Sequence, residues 1–157
     1  MATINATITV ASSDLTSSPL SLSRTMTMYK AGSSNGLELT SGLVTRRFTA
    51  VTEVDLCKGG TQNYGIPTVA SADGTSTNSA NKIYIKNTSS STTEYITVGL
   101  GTAAATDAIG GTHLNLGRLY GGDFLIMPAA FIVTHGDITV QPSTAEETTV
   151  EYMLFFE

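Results

Sequence analysis

The stretch Thr148-Thr149-Val150-Glu151-Tyr152-Met153-Leu154-Phe155-Phe156 decides the fold. In an extended chain Val150, Tyr152, Leu154 and Phe156 point one way, and Thr149, Glu151, Met153 and Phe155 point the other. The first set is apolar throughout, whereas the second starts polar and becomes apolar at Met153 and Phe155. That pattern predicts a strand that begins at a solvated surface and ends covered on both faces. At roughly 3.3 Å per residue it spans about 30 Å, long for a strand. Such a strand needs a sheet around it, and the expectation is a C-terminal segment locked into that sheet.

Working outward, short alternating runs recur. Asp137–Gln141 and Phe131–Thr134 flank His135-Gly136, and Phe124–Met127 is an apolar strand stopped by Pro128 after the tight turn Gly121-Gly122-Asp123. Leu114, Leu116 and Leu119 precede that turn. Lys82–Asn87 and Glu94–Leu100, joined by the polar Thr88–Thr93, read as a hairpin. Leu43–Leu56 reads as strand with a bulge or bend where its faces mix. At the other end, Ile4, Ala6, Ile8 and Val10 alternate with Thr3, Asn5, Thr7 and Thr9. Leu20, Leu22, Met26 and Met28 form a second alternating face, interrupted by Arg24, which is expected to snorkel to an edge. Gly32–Gly36 reads as a hairpin turn with Leu37 and Leu39 on the return strand.

Lys58–Asn81 is irregular and rich in Gly, Ser, Thr and Asn, with Ile66–Ala70 as a short edge-strand candidate. Ala103–Ala105 and Ser143–Glu146 predict at most single turns. About nine or ten strands and no helix result. The reading is one all-β domain over residues 1–157, an antiparallel β-sandwich of jelly-roll or related Greek-key topology.

The composition bounds function mostly by exclusion. A chain of 157 residues is long enough to bury a real core without staples, and the single Cys57 forms no intrachain disulfide. Charged residues make up 13% of the chain, about half the usual share. A hydroxyl-rich surface of that kind repels copies of itself weakly. The net charge of −5, with Arg46-Arg47 the only adjacent basic pair, argues against nucleic acid and anionic membranes. Met1-Ala2-Thr3-Ile4 has no signal-peptide character, and no apolar run reaches membrane-helix length. Synthesis in a cytosol is expected.

Candidate chemistry is thin. His113 and His135 sit beside Gly and Thr in loop-like context, with no G-x-S-x-G around any serine, so a nucleophilic triad is not expected. One Cys and two distant His are poor metal ligands. Asp73–Asn78 offers oxygen ligands but one carboxylate, which reads as a polar loop rather than a calcium site. Glu146-Glu147 and Glu53 with Asp55 read as solvated surface, and Gly59-Gly60 and Gly110-Gly111 lack the lysine and helix of a phosphate loop. Tyr29, Tyr64, Tyr84, Tyr95 and Tyr120 are available for stacking on sugars, although the chain has no Trp. No enzyme activity and no cofactor are expected.

Three segments carry a resemblance: Lys82–Ser89 (KIYIKNTS) with Glu94–Gly99 (EYITVG), Gly117–Pro128 (GRLYGGDFLIMP), and Thr148–Phe156 (TTVEYMLFF). Together they resemble small β-sandwich virion proteins of tailed bacteriophages, cyanophages among them, over roughly the second half of the chain. The resemblance implies a non-enzymatic particle component. Its leading form is a capsid decoration (cement) protein that self-associates, as a homotrimer, and reinforces a lattice of the major capsid protein in the virion. Alternatives are a tail, fibre or head-to-tail subunit, or, on fold analogy, a carbohydrate-binding module. The candidate interface is Ala2, Thr3, Ile4 and Asn5, which are placed to pair with a neighbour, and Tyr64, Ile66 and Pro67 in the loop that contact would order.

Overall fold

A computed structural model describes residues 4–14, 20–29, 34–37, 39–59, 68–69, 80–101, 114–128, 137–144 and 148–156. Every regular element among them is a strand. The chain divides into two compact units, Met1–Glu38 and Leu39–Glu157. In the first, β1 (Ile4–Ser12) pairs antiparallel with β2 (Leu20–Met28), in register from Ile4 opposite Met28 to Ser12 opposite Leu20. The two apolar series read from the sequence therefore share one face. The opposite face is a ladder of hydroxyls: Thr7 and Thr25 Oγ1 lie 2.9 Å apart, and Thr27 Oγ1 donates to Asn5 Oδ1 at 3.0 Å. Such cross-strand pairs suit a pleated surface in contact with water. Past β2, Tyr29 bridges Gly36 and Leu37 N donates to Met28 O. The return strand expected after Gly36 is thus a single bridge, because Leu39 and Thr40 pair elsewhere.

Ten strands make up the second unit: β3 (Leu39–Thr40), β4 (Val44–Phe48), β5 (Val54–Gly59), β6 (Thr68–Val69), β7 (Ala80–Asn87), β8 (Tyr95–Leu100), β9 (Leu114–Tyr120), β10 (Phe124–Pro128), β11 (Ile138–Pro142) and β12 (Thr148–Phe156). They form a β-sandwich of two five-stranded sheets. One runs β10–β7–β12, with β3 and β4 both along the far edge of β12; the other runs β6–β5–β11–β8–β9. All pairings are antiparallel except the two-residue β5–β6 contact, where Thr68–Val69 supplies the short edge strand expected within Ile66–Ala70.

β12 is the inner strand of its sheet, bonded to β7 on one side and to β4 and β3 on the other. Val150 and Leu154 have no exposed surface and Tyr152 is buried, while Thr149, Glu151 and Met153 on the other face are half-buried and Phe155 is buried. The amphipathic start and doubly covered end follow the sequence reading. Facing these side chains across the interior are Leu56, Ile96, Val98, Ile138 and Val140 from the second sheet, joined by Ile83 and Ile85 beside β12. Each such buried aliphatic contributes roughly 1.5–3 kcal/mol of transfer free energy. Between β3 and β4 one extra residue bulges, with Gly42 at φ +69° and Ser41 bonded to Leu154 through both its amide and its hydroxyl.

The strand pairs are nested: β4 with β12, β5 with β11, β7 with β10, and β8 with β9. Successive nested pairs alternate between the two sheets, so most connections cross from one sheet to the other. The expected hairpin of Lys82–Asn87 with Glu94–Leu100 is therefore corrected, since β7 and β8 lie in different sheets. Their apolar faces oppose each other across the interior instead of lying side by side. Thr88–Glu94 is longer than a tight hairpin loop and long enough to cross the ~10 Å between sheets. The bend expected within Leu43–Leu56 is the equivalent crossing at Thr49–Glu53. Expected strands or turns at Phe131–Thr134 and Ala103–Ala105 lie outside the described residues, as do Ala145 and Glu146 of the single turn expected at Ser143–Glu146.

One corner holds two of these crossings. Asn87, with no exposed surface, donates through Nδ2 to Leu119 O at 3.1 Å and accepts from Ser89 N at 3.0 Å. Asn87 N donates to Asp123 O, and Gly122 N donates to Asn87 O. Beside it, a Cβ on Gly121 would lie 2.6 Å from Ser89 O and closer still to Ser91 O. Replacing Asn87 with Ala removes both bonds from a part-buried carbonyl and a part-buried amide, a cost of about 2 kcal/mol at the low end of 1–3 kcal/mol per group. Urea unfolding of Asn87→Ala is expected to show that loss. Gly121→Ala is expected to cost at least as much, because backbone must move.

Candidate interaction surface

Among the described residues no group of three His, Cys, Asp or Glu is placed to hold a metal ion. Glu53, Asp55 and Asp137 are buried, contrary to the solvated reading of the first two, and each is engaged by a partner. His113, His135, Asp73–Asn78 and Glu146-Glu147 lie outside the described residues. The β4–β5 bend forms a cleft of about 190 Å³ lined by Arg46, Arg47, Phe48, Thr49, Ala50 and Thr52, among others. That is smaller than the roughly 300–1,000 Å³ of typical small-molecule sites. Its guanidinium is already committed: Arg46 Nη1 donates to Asp55 O at 2.7 Å, and Arg46 Cζ lies 5.3 Å from the Phe48 ring centroid. Arg46 lies in the inward-facing row of β4, between Val44 and Phe48, and ties one sheet to the other at this end.

The surface is more informative than the cleft. On the apolar face of the β1–β2 hairpin, Ile8, Val10, Leu20, Leu22 and Met26 are each 42–46% exposed. Val10 sits opposite Leu22, and Met26 opposite Ala6, so these side chains form one continuous strip. Arg24 stands opposite Ile8 and turns Nη1 to its neighbour's carbonyl, Ser23 O, at 3.0 Å. Singly exposed aliphatics are ordinary, but here the register aligns them on both strands.

Of the expected interface residues, Ile4 is half-buried and Asn5 exposed at the start of β1. Both are paired with β2, at Met28 and Thr27, which leaves the outer edge of β1 as the side on which a neighbour's strand can add. Ala2, Thr3, Tyr64, Ile66 and Pro67 lie outside the described residues. The exposed strip was not among the expected interface residues. The alternation that reveals a face says nothing about what covers it.

The outer faces of the sandwich carry aromatic clusters. On the first sheet Tyr84 lies 6.3 Å from Phe124, ring to ring, and faces Met153 across the β7–β12 pair. On the second, Tyr95 and Tyr120 face each other with centroids 5.4 Å apart. No helix among the described residues is long and apolar enough to cross a membrane.

Burial, and secondarily the charge of Glu151, raises the Tyr84 phenol above its ordinary value of 10.0. A tyrosine whose folded pKa is raised costs stability as pH climbs above the unfolded value, because the unfolded chain then releases the proton more readily. Ultraviolet titration is expected to show the Tyr84 phenol ionising late, and Glu151→Gln to bring it part of the way back. A Tyr84 titration unmoved by that change would exclude the Glu151 contribution. Compared with protein-family models, with curated proteins and with solved structures, the chain matches none.

Proposed function

We propose that this protein is a non-enzymatic virion subunit, a capsid decoration protein that self-associates and reinforces the phage head lattice. The observation that carries the reading is the exposed apolar strip of the hairpin, Ile8, Val10, Leu20, Leu22 and Met26. A two-stranded hairpin is marginal in water by itself and needs a further strand or a packing surface. Two strands about 30 Å long and ~5 Å apart present a face of roughly 300 Å². Stable interfaces bury roughly 800 Å² on each partner, so an isologous dimer through this face alone falls short. In a closed ring each copy both gives the strip and receives its neighbour's, which doubles the buried surface per copy. That arithmetic favours a closed ring over a dimer through this face alone, and a trimer is the smallest such ring.

We also read the nested order of strand pairs, β4·β12, β5·β11, β7·β10 and β8·β9, as a jelly roll. The low charge content supports dense packing of copies, because little repulsion opposes it. The test is solution mass by size-exclusion chromatography with light scattering, followed by binding to capsids that lack the protein. A trimer that binds capsids is expected. The pair of changes Val10→Thr and Leu22→Thr, which keeps strand propensity and removes the apolar contact, is expected to abolish both behaviours while the sandwich melts as before. Unaltered assembly and binding in that variant would overturn the role of the strip, and a monomer that never binds a capsid would overturn the function.

A further inference from the structure

We propose that Tyr95, Arg118 and Tyr120 form a binding site for a saccharide that carries a carboxylate, such as a uronic acid unit. The inference is independent of the lattice-binding reading, since it uses a different surface and a different ligand.

The three side chains come together through the β8–β9 register, with Tyr95 opposite Tyr120 and Thr97 opposite Arg118. Ile96 and Leu119 point inward to the core, so the residues on either side of Leu119 stand with Tyr95 on the outer face of the sheet. Arg118 Cζ lies 4.3 Å from the Tyr95 ring centroid, and the Tyr95 and Tyr120 rings are tilted by 59° at 5.4 Å. The backbone beneath is pinned at both ends. Tyr95 N donates to Ser143 Oγ and Ser143 N to Tyr95 O, while Tyr120 N donates to Asp123 Oδ2.

What singles out this cluster is that its polar groups are held in place but unused. Among the described residues the Arg118 guanidinium has its contact with the Tyr95 ring and no hydrogen bond or ion pair, and neither phenol hydroxyl is bonded. A guanidinium held over a ring keeps its planar fork of N–H donors, of which a carboxylate accepts two at once. The electron-rich ring faces supply a platform for the C–H face of a sugar ring. Arg46 makes the contrast, because its Nη1 already donates to Asp55 O. The overall charge of −5 repels polyanions, which restricts the ligand to one carrying few carboxylates rather than nucleic acid or a polyacid.

The experiment is an NMR titration of the full chain with a glucuronic-acid-terminated disaccharide, and with its neutral counterpart in which CH₂OH replaces the carboxylate. Saturable shifts at the Tyr95 and Tyr120 rings and at Arg118 Nε are expected with the acidic sugar. The neutral sugar is expected to bind at least about tenfold more weakly, the scale of one charged hydrogen-bonded pair. Arg118 is exposed on an edge strand, so Arg118→Gln is expected to keep the melting temperature and lose that preference. Tyr120→Ala is expected to weaken both sugars. Absence of shifts with either sugar overturns the proposal, as does an unchanged preference in Arg118→Gln. Shifts at these residues with an acidic peptide and not with the sugar also overturn it, and make the cluster a protein contact instead.

Discussion

The sandwich depends on one buried side-chain amide. Asn87 ends β7 in the first sheet and donates to Leu119 O in the second, while its oxygen holds the first turn of the crossing segment at Ser89. Its own backbone is bonded on both sides to the Gly121–Asp123 turn. Two stretches far apart in sequence, 87–89 and 119–123, are thereby fixed around one residue with no exposed surface. A hydrocarbon of the same size fills the volume but removes the bonds to two part-buried backbone groups, so the position favours an amide. Gly121 is the complement of that constraint, because the carbonyls of Ser89 and Ser91 occupy the space where its side chain would stand. The corner is polar at its centre and crowded at its rim. Both properties set where β7 turns toward β8 and where β9 turns toward β10.

A second tie lies at the β4–β5 end, where Arg46 reaches from one sheet to a carbonyl of the other and covers Phe48 on the way. Between the two ties runs the apolar interior, with β12 down the middle of its sheet. The nested pairing makes this economical: once β12 is bonded to β4 and β7, the partners of β5, β8 and β10 follow from chain direction and crossing length. The Ser/Thr-rich Thr88–Glu94 segment is anchored at its start, where Thr88 donates through both N and Oγ1 to Thr149 O, and beyond that bonds largely to itself. Ser89 Oγ donates to Glu94 Oε2, and Ser91 Oγ accepts from Thr93 N and Glu94 N, so the side chains satisfy the backbone that the crossing leaves unpaired.

What the chain discloses before folding is uneven, and the reason is physical. β12 was legible to the residue because one nine-residue run fixes both its faces. The β7 and β8 strands were legible as strands, yet their relation was not. Alternation with a period of two reports which side chains share a face, and a hairpin and a sheet crossing place the same residues inward. Loop length discriminates between them, and Thr88–Glu94 is long enough to have raised the question. Leu43–Leu56 shows the same limit from the other side: the mixing of its faces marked a bend, and the bend carries the chain into another sheet. Tyr95, Arg118 and Tyr120 were legible only singly. Their proximity depends on the antiparallel register of β8 and β9 between Tyr95 and Val98, a relation between segments that no local pattern encodes.

The hairpin of the first unit departs most from what a soluble sheet requires. Its hydroxyl face is complete in itself, with Thr7 bonded to Thr25 and Asn5 to Thr27. Its apolar face is left with nearly half of each large side chain in water from Ile8 to Met26. A free monomer gains nothing from five such side chains arranged in one line, since each retains much of the hydration cost that burial relieves. Scattered exposed aliphatics are ordinary, but a register that aligns them on both strands is not. The charge content works in the same direction. With 13% of residues charged, the chain lacks the repulsion that usually keeps copies apart, and its hydroxyls supply solubility without long-range fields. An aligned apolar strip and a weakly repelling surface are each tolerable alone. Together they lower the barrier to close contact and supply the free energy for it, which is the combination an assembling subunit needs.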